Sequence, residues 1–466
     1  MGDPYILMLV ALAVLAIVDL VVGVSNDAVN FLNSAIGSKA ISVRNIMIIA
    51  SLGVFFGAVT SSGMMEVARK GIFNPNMFMF QDIMFIFMAV MITDILLLDV
   101  FNSLGMPTST TVSIVFELLG AAVCISLIKI SDNDSQSIND IWNYINHKKA
   151  LEIINGILLS VVVAFSVGAI VQFASRLIYS FNFEKRAAYI NALFGGFAIT
   201  AITYFIIIKG MKGTPWYKDV KYLIEGNSLL IIAGSFVIWS LISQFLIKFF
   251  KINILKLIIG IGTFSLAMAF SGNDLVNFVG VPIAAWNSYE AWSISGVSPD
   301  AFSMGILAKK VPSNVYLLLF AGAIMVVTLW TSSKAQNVIK TGIDLSRQGE
   351  GHEKFKPNPL SRVAVRAAMG INAGISMIFP KKMLDFVDSK FQKPVIELPK
   401  DKTYELPAFD LVRASVNLIV AGILISIATS MKLPLSTTYV TFMVAMGTSL
   451  ADRAWGRESA VYRVAG

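Results

Sequence analysis

Ser25-Asn26-Asp27-Ala28-Val29-Asn30-Phe31 sits inside an apolar run near the start of the chain, and Gly272-Asn273-Asp274-Leu275-Val276-Asn277-Phe278 repeats its pattern in the second half. Each copy sets Asn beside Asp, then a second Asn three residues after the Asp, among Val, Leu, Ile, Phe and Ala. A carboxylate at the centre of such a run costs roughly 2.5–3.5 kcal/mol in a bilayer, even on the lenient insertion scale. A cost accepted twice, with the same neighbours, points to one polar site shared by two internal repeats.

The surroundings set the class. Of 466 residues, 56% are hydrophobic and 14% charged, and the mean hydropathy is +0.72. A soluble chain of this length would need far more polar surface, so the expected fold is an all-α polytopic membrane protein. The net charge of +8 gathers in loops, which is the positive-inside pattern and not a nucleic-acid footprint. A single cysteine, Cys124, leaves no internal disulfide or thiolate cluster and reads as a small packing residue. No basic residue precedes the first apolar run, so residues 5–22 read as a first span and not as a cleaved leader.

Working outward, the first helix is expected to break near Gly23 and Ser25 and to restart as a short helix through Ile36. Asn26 and Asp27 then lie at the break. Residues 254–271 and the Gly272-Asn273-Asp274 stretch repeat this design. Residues 45–63 form a span rich in small residues (Gly53, Gly57, Ala58, Ser61, Ser62) that allow close helix approach, with Arg69 and Lys70 in the turn that follows. A second duplicated feature comes later in each half: Pro107-Thr108-Ser109-Thr110-Thr111 and Pro434-Leu435-Ser436-Thr437-Thr438. Pro suits the first turn of a new helix, so each stretch opens a helix with hydroxyls in its first turn. The resulting organisation is a first transport repeat (1–130), a polar loop with connector helices (131–250), the start of a second repeat (251–331), a basic cytoplasmic insertion (332–405) and the end of the second repeat (406–466). Within the insertion, residues 361–379 read as an amphipathic helix lying on the membrane or against the core, with Arg362 and Arg366 on one side. His147 and His352 fall in loops, and Asp19 and Asp82 read as interfacial. The roles of Asp94, Asp99 and Glu117 stay open between a further ion site and a structural pair.

The chemistry follows from residue types. Ser109, Thr110, Thr111, Ser436, Thr437 and Thr438 place hydroxyl donors at helix starts, where free N–H groups and the macrodipole favour an anion. Two such ends facing each other make a cradle for a tetrahedral oxyanion, with Asn30 and Asn277 beside it. No Lys or Arg lies near either signature, so co-bound cations must meet the charge. Asn26, Asp27, Asn273 and Asp274 supply hard oxygen ligands, and carbonyls freed at the breaks complete a site for Na⁺ or a proton. Taken singly, the hydroxyl turn is an ordinary N-cap and an Asn-Asp is an interhelical hydrogen bond. Their joint duplication in the same order favours the site.

At these residues the chain resembles the inorganic phosphate transporter family. Asn26-Asp27 with Asn30, and Gly272-Asn273-Asp274 with Asn277, match its duplicated Gly-x-Asn-Asp-x-x-Asn signature. Gly105-Met106-Pro107-Thr108-Ser109-Thr110-Thr111 and Leu433-Pro434-Leu435-Ser436-Thr437-Thr438 match its duplicated Gly-Leu-Pro-x-Ser-Thr-Thr-His turns. The resemblance implies inverted repeats with broken helices and helix starts meeting near the midplane. It also implies a homodimer in a cell membrane, most simply a bacterial inner membrane, moving phosphate with Na⁺ or H⁺. There are departures. The closing His is Val112 in one copy and Tyr439 in the other, and Lys432 replaces a Gly. Members continue past the second hydroxyl helix into another span, whereas this chain stops at Gly466, which reads as a shortened C-terminal region.

The expected function is therefore phosphate import coupled to Na⁺ by alternating access, with no cofactor beyond that ion. The alternatives are H⁺ coupling, or a permease for sulfate or another oxyanion. An enzyme using Asp27 and Asp274 as a catalytic pair finds no nucleophile with a base, no His pair and no nucleotide loop to support it. A channel fits two occluding half-helices less well than alternating access does.

Overall fold

The computed structural model describes residues 3–61, 72–183, 186–209, 222, 224, 226–308, 315–349, 353–378, 380–392, 406–431 and 435–466. Ser62, Arg69, Lys70, His352, Lys432, Leu433, Pro434 and the end of the expected insertion lie outside them. Sixteen helices of nine or more residues carry the described fold. The first half contains α1 (Pro4–Asp27), α2 (Val29–Gly37), α3 (Val43–Thr60), α4 (Phe80–Leu104) and α5 (Thr110–Ser131). Three connectors follow: α6 (His147–Tyr179), α7 (Ala188–Ala201) and α8 (Ser228–Phe250). The second half contains α9 (Ile254–Ser295), α10 (Val315–Thr331), α11 (Ser333–Ser346), α12 (Pro359–Ile378), α13 (Lys381–Lys390), α14 (Leu411–Ser430), α15 (Thr437–Ala451) and α16 (Arg457–Ala465). Eight helical segments are long and apolar enough to cross a membrane, or nine if the pair bent by 72° at Ser332 counts as one.

Each helix shows why it lies where it does. In α1, Leu7, Val10, Val14, Ile17 and Val21 are exposed at helical spacing, while Leu12, Ala16, Asp19, Leu20 and Gly23 are buried. The apolar exposed stripe faces lipid and the other face packs inward. Asp3 accepts the Tyr5 N–H at 2.9 Å to cap the start, with Pro4 in the first turn. The packing is exchanged between halves: α1 packs on α4 as α9 packs on α14, and α9 packs on α3 as α1 packs on α10. Within this core, Gly53 and Gly57 of α3 meet the α9 backbone so closely that a Cβ would strike the Phe264 and Met268 carbonyls. This is the small-residue contact that lets membrane helices approach.

Several expectations are corrected here. The first helix does not break at Gly23–Ser25. It runs to Asp27, and Ala28 keeps right-handed helical angles with its N–H on the Val24 carbonyl at 3.0 Å. The second copy has no break at all, because α9 is continuous through Gly272-Asn273-Asp274. In an apolar interior each unpaired backbone group is costly, and the Asn and Asp side chains find partners without unwinding the helix. The expected freed carbonyls at these positions therefore do not exist. The open backbone lies at the hydroxyl turns instead. Gly105, at φ +62°, ends α4 with its N–H on the Asn102 carbonyl and that of Met106 on the Phe101 carbonyl. An extended stretch then leads to Ser109.

Other corrections are local. Asp19 is not interfacial but fully buried, because it faces α4 and α5 and not a headgroup layer. Cys124 is exposed on α5 and is not a core residue. His147 opens α6 and is not in a loop. The segment expected as an insertion begins with α11, whose Ala335, Val338, Ile339 and Leu345 are buried against α2 and neighbouring helices. The expected amphipathic helix is α12, which packs on α16 and leaves Arg362, Arg366, Leu360 and Val363 exposed.

Replacing Gly57 by Ala should destabilise the protein by about 1–3 kcal/mol, the usual cost of overpacking. Gly120, with nothing within 4 Å of an added Cβ, is the control. Thermal unfolding in detergent checks this, and Gly120→Ala should leave the midpoint essentially unmoved.

Candidate functional site

The four signatures meet at one place. Asp27 comes from the last turn of α1 and Asp274 from the middle of α9, and both are fully buried. Thr110 and Thr111 open α5; Thr437 and Thr438 open α15. Ser109 and Ser436 are spent on their own helices: each Oγ accepts an N–H three residues on, from Val112 at 3.1 Å and from Tyr439 at 3.0 Å. That capping sets the first turns and leaves the threonines to reach the carboxylates.

The reach is crossed between halves. Asp27 accepts from Thr110 of its own half at 2.9 Å and from Thr438 of the other at 3.0 Å. Asp274 accepts from Thr437 of its own half and from Thr111 of the other at 3.3 Å. The second asparagines follow the same rule. Asn30 Nδ2 donates to Thr438 at 3.0 Å and Thr437 at 3.4 Å. Asn277 Nδ2 donates to Thr111 at 3.0 Å and Thr110 at 3.4 Å. Exchanging the halves maps each bond onto another.

The first asparagines hold the turns. Asn26 Nδ2 donates to Asn102 Oδ1 at 2.8 Å and the Met106 carbonyl at 3.1 Å, and its Oδ1 accepts the Thr108 N–H at 2.8 Å. Asn273 Nδ2 donates to Asp274 Oδ1 at 2.9 Å and the Leu435 carbonyl at 3.3 Å, and its Oδ1 accepts from Thr429 at 3.3 Å. Asn102 and Thr429 are the partners the sequence reading missed. Each precedes its Pro by the same offset, and that shared register was the available signal. Thr441, whose hydroxyl donates to Asn30 Oδ1 at 3.2 Å, was also missed.

The arrangement is closed around its donors. A polar cavity beside Asn30, Thr438 and Thr441 measures about 20 Å³, room for about one water. Two larger cavities border the same elements. One of about 550 Å³ passes Thr108, Ser109, Val112 and Tyr439. Another of about 640 Å³ runs from Lys39, Arg44 and Lys340 to Ala28 and Leu32.

Charges gather at the far end of α15. Arg176 of α6 is fully buried and grips Asp452 with Nε at 2.9 Å and Nη2 at 2.7 Å. The same guanidinium donates to Asp410 at 2.7 Å. Gln172 and Gln348 also donate to Asp452. Arg413 donates to Thr448 and the Ala445 carbonyl. These arginines serve the end of α15 opposite Thr437 and do not reach the paired carboxylates.

A model of the phosphate transporter family matches residues 23–343; the chain belongs to that family. It is 25% identical over 308 residues to a provisionally named phosphate permease of Pyrococcus abyssi, covering 64% of this chain and 68% of that one. It is likewise 25% identical over 337 residues to one from Helicobacter pylori, covering 66% and 55%. A solved structure described as the sodium-dependent phosphate transporter matches with a TM-score of 0.61 at 18% identity, over 95% of this chain and 90% of that one. That likeness is one of fold: an all-α polytopic membrane protein.

Arg176→Ala should cost about 3–5 kcal/mol, because it leaves buried carboxylates unpaired. Arg176→Met with Asp410→Asn and Asp452→Asn should recover part of that loss. Unfolding midpoints of the purified variants give the comparison.

Proposed function

We propose that this chain is a secondary active transporter that carries inorganic phosphate together with Na⁺ by alternating access. The observation that carries the reading is the crossed set of four threonine hydroxyls on two carboxylates. Family membership supplies the phosphate class; the coupling ion is argued from the site. A threonine hydroxyl has one proton and can donate it once. With the carboxylates bare, those protons are committed to Asp27 and Asp274. A Na⁺ bound by the carboxylates competes for the same lone pairs and releases the hydroxyls to turn toward phosphate. Asn26 and Asn273 add amide oxygens, each of which keeps a second lone pair for a hard cation. Thr110, Thr111, Thr437 and Thr438 then hold the anion with Asn30 and Asn277, while the helix starts contribute N–H groups and dipoles. Ser109 and Ser436 keep their own O–H protons available on the same turns.

Cation and anion reinforce each other because each relieves the charge the other leaves. Cavities bordering α2 and α5 are consistent with routes into the closed centre. The reading includes a homodimer in a cell membrane, a bacterial inner membrane being the simplest setting.

Asp27→Asn and Asp274→Asn should each lower Na⁺-driven phosphate uptake into proteoliposomes at least about tenfold, the equivalent of 1.4 kcal/mol. Na⁺ dependence should weaken in the same variants. Uptake that runs equally well on a proton gradient in Na⁺-free buffer would overturn the Na⁺ assignment.

Phosphate should also be preferred over sulfate. At neutral pH phosphate keeps a P–OH that a carboxylate can accept, whereas sulfate brings only acceptors. Sulfate in excess should therefore compete weakly with labelled phosphate, and equal competition would reject this account of selectivity.

A further inference from the structure

Outside the cradle, three carboxyl groups meet in the first half alone. Asp19 of α1, Asp94 of α4 and Glu117 of α5 come together around Ser113. Ser113 Oγ lies 2.6 Å from Asp94 Oδ1 and 2.6 Å from Glu117 Oε1. Asp19 is fully buried, and neither of its carboxyl oxygens has a donor in the structure; Asp94 Oδ2 and Glu117 Oε2 are in the same position.

Counting protons decides what is missing. A serine hydroxyl has one proton, so it can serve only one of its two short carboxyl contacts. An ionised carboxylate is an acceptor only, so the other 2.6 Å contact is a hydrogen bond only if that carboxyl keeps its proton. Geometry therefore asks for one proton on Asp94 or Glu117, and the burial of Asp19 without a donor asks for a second. The charged groups acting on the trio are carboxylates: one another and, from the cradle, Asp27. Of the basic side chains on the packed elements, Lys129 pairs with Asp82 and Lys334 with Asp99, Lys340 is exposed beside the cavity it shares with Lys39 and Arg44, and Lys256 is exposed near the start of α9. Three bare carboxylates so placed would carry a prohibitive desolvation cost.

The trio has an outlet. Glu117 is half-buried and lines the cavity of about 550 Å³ that also passes Ser109 and Tyr439. The second half has no equivalent. Aligning the signatures sets Leu266, Ala421, Val440 and Val444 at the positions of Asp19, Asp94, Ser113 and Glu117.

We propose that Asp19, Asp94, Ser113 and Glu117 form a proton-holding site, distinct from the Asp27–Asp274 cradle, that exchanges protons with this cavity through Glu117. When Glu117 gives its proton to water in the cavity, the Ser113 hydroxyl turns from Asp94 to the new carboxylate. One proton leaves and one hydrogen bond changes partner. The site adds pH sensitivity to the transport proposed above, but its existence does not rest on that reading.

The first test needs no transport. Infrared spectra of the purified full-length protein in Na⁺-free buffer at neutral pH should show a carboxylic-acid C=O band. Asp19→Asn, Asp94→Asn and Glu117→Gln should each reduce it, while Asp27→Asn and Asp274→Asn retain it. Absence of the band, a band that persists in all three trio variants, or a band removed by adding Na⁺ at fixed pH would each overturn the site. The second test is phosphate uptake at saturating Na⁺ across neutral pH. The wild-type rate should change by up to about tenfold per pH unit through the titration, and Glu117→Gln should remove that slope. An unchanged slope would overturn proton exchange through Glu117.

Discussion

Two carboxylates buried in an apolar interior, with no Lys or Arg in contact, impose the central constraint. Their compensation comes from four hydroxyls, and those hydroxyls must arrive from two helix starts in different halves of the chain. That requirement fixes much else. It demands that α5 and α15 begin where they do, so Ser109 and Ser436 cap them. It demands that the turns before them be held, which Asn26 and Asn273 do through the Met106 and Leu435 carbonyls. It demands close packing of α3 on α9 behind the carboxylates, for which Gly53 and Gly57 clear the space. The duplication visible in the sequence thus has a mechanical meaning: each half supplies one donor to its own acid and one to the other's.

A donor set built from threonines is reversible in a way that a lysine is not. Hydroxyls can turn, and in the transport proposed above the choice between carboxylate and oxyanion follows from whether the carboxylate is neutralised. The crossed pattern ties both halves to that choice, so local charge at Asp27 and Asp274 bears on contacts between halves.

Much of this was legible in the residues. The spans follow from hydropathy; α2 ends in the Gly37-Ser38-Lys39 turn, where Lys39 takes a positive φ, and α5 opens at Thr110 behind Pro107 and the Ser109 cap. The misplaced breaks have a clear cause. Gly23, Ser25 and Gly272 signal interruption in water, but within lipid the backbone bonds outweigh that signal. Depth was the second blind spot. Asp19, Arg176, Arg413 and Asp452 lie near the ends of apolar runs, where a linear reading assigns them to headgroups. Only packing reveals that all four are buried. The Ser109-Ser113-Glu117 spacing did lie on one helix face, but its partners Asp19 and Asp94 come from other helices and have no signature of their own.

The grip of Arg176 on Asp452 has a consequence for motion. Asp452 follows directly on the last turn of α15, and Arg176 belongs to α6. Drawing these helices apart would strip the fully buried Asp452 carboxylate of its guanidinium in an apolar interior. The cap at Ser436 keeps the opposite end of α15 in one piece. By contrast, α5 is tied at its far end to its neighbour α4 by the partly exposed Lys129–Asp82 pair, a bond that water can replace. The two hydroxyl helices are therefore mechanically unequal. At the ends away from their hydroxyl turns, α15 is held by a fully buried guanidinium pair and α5 by an ion pair open to water.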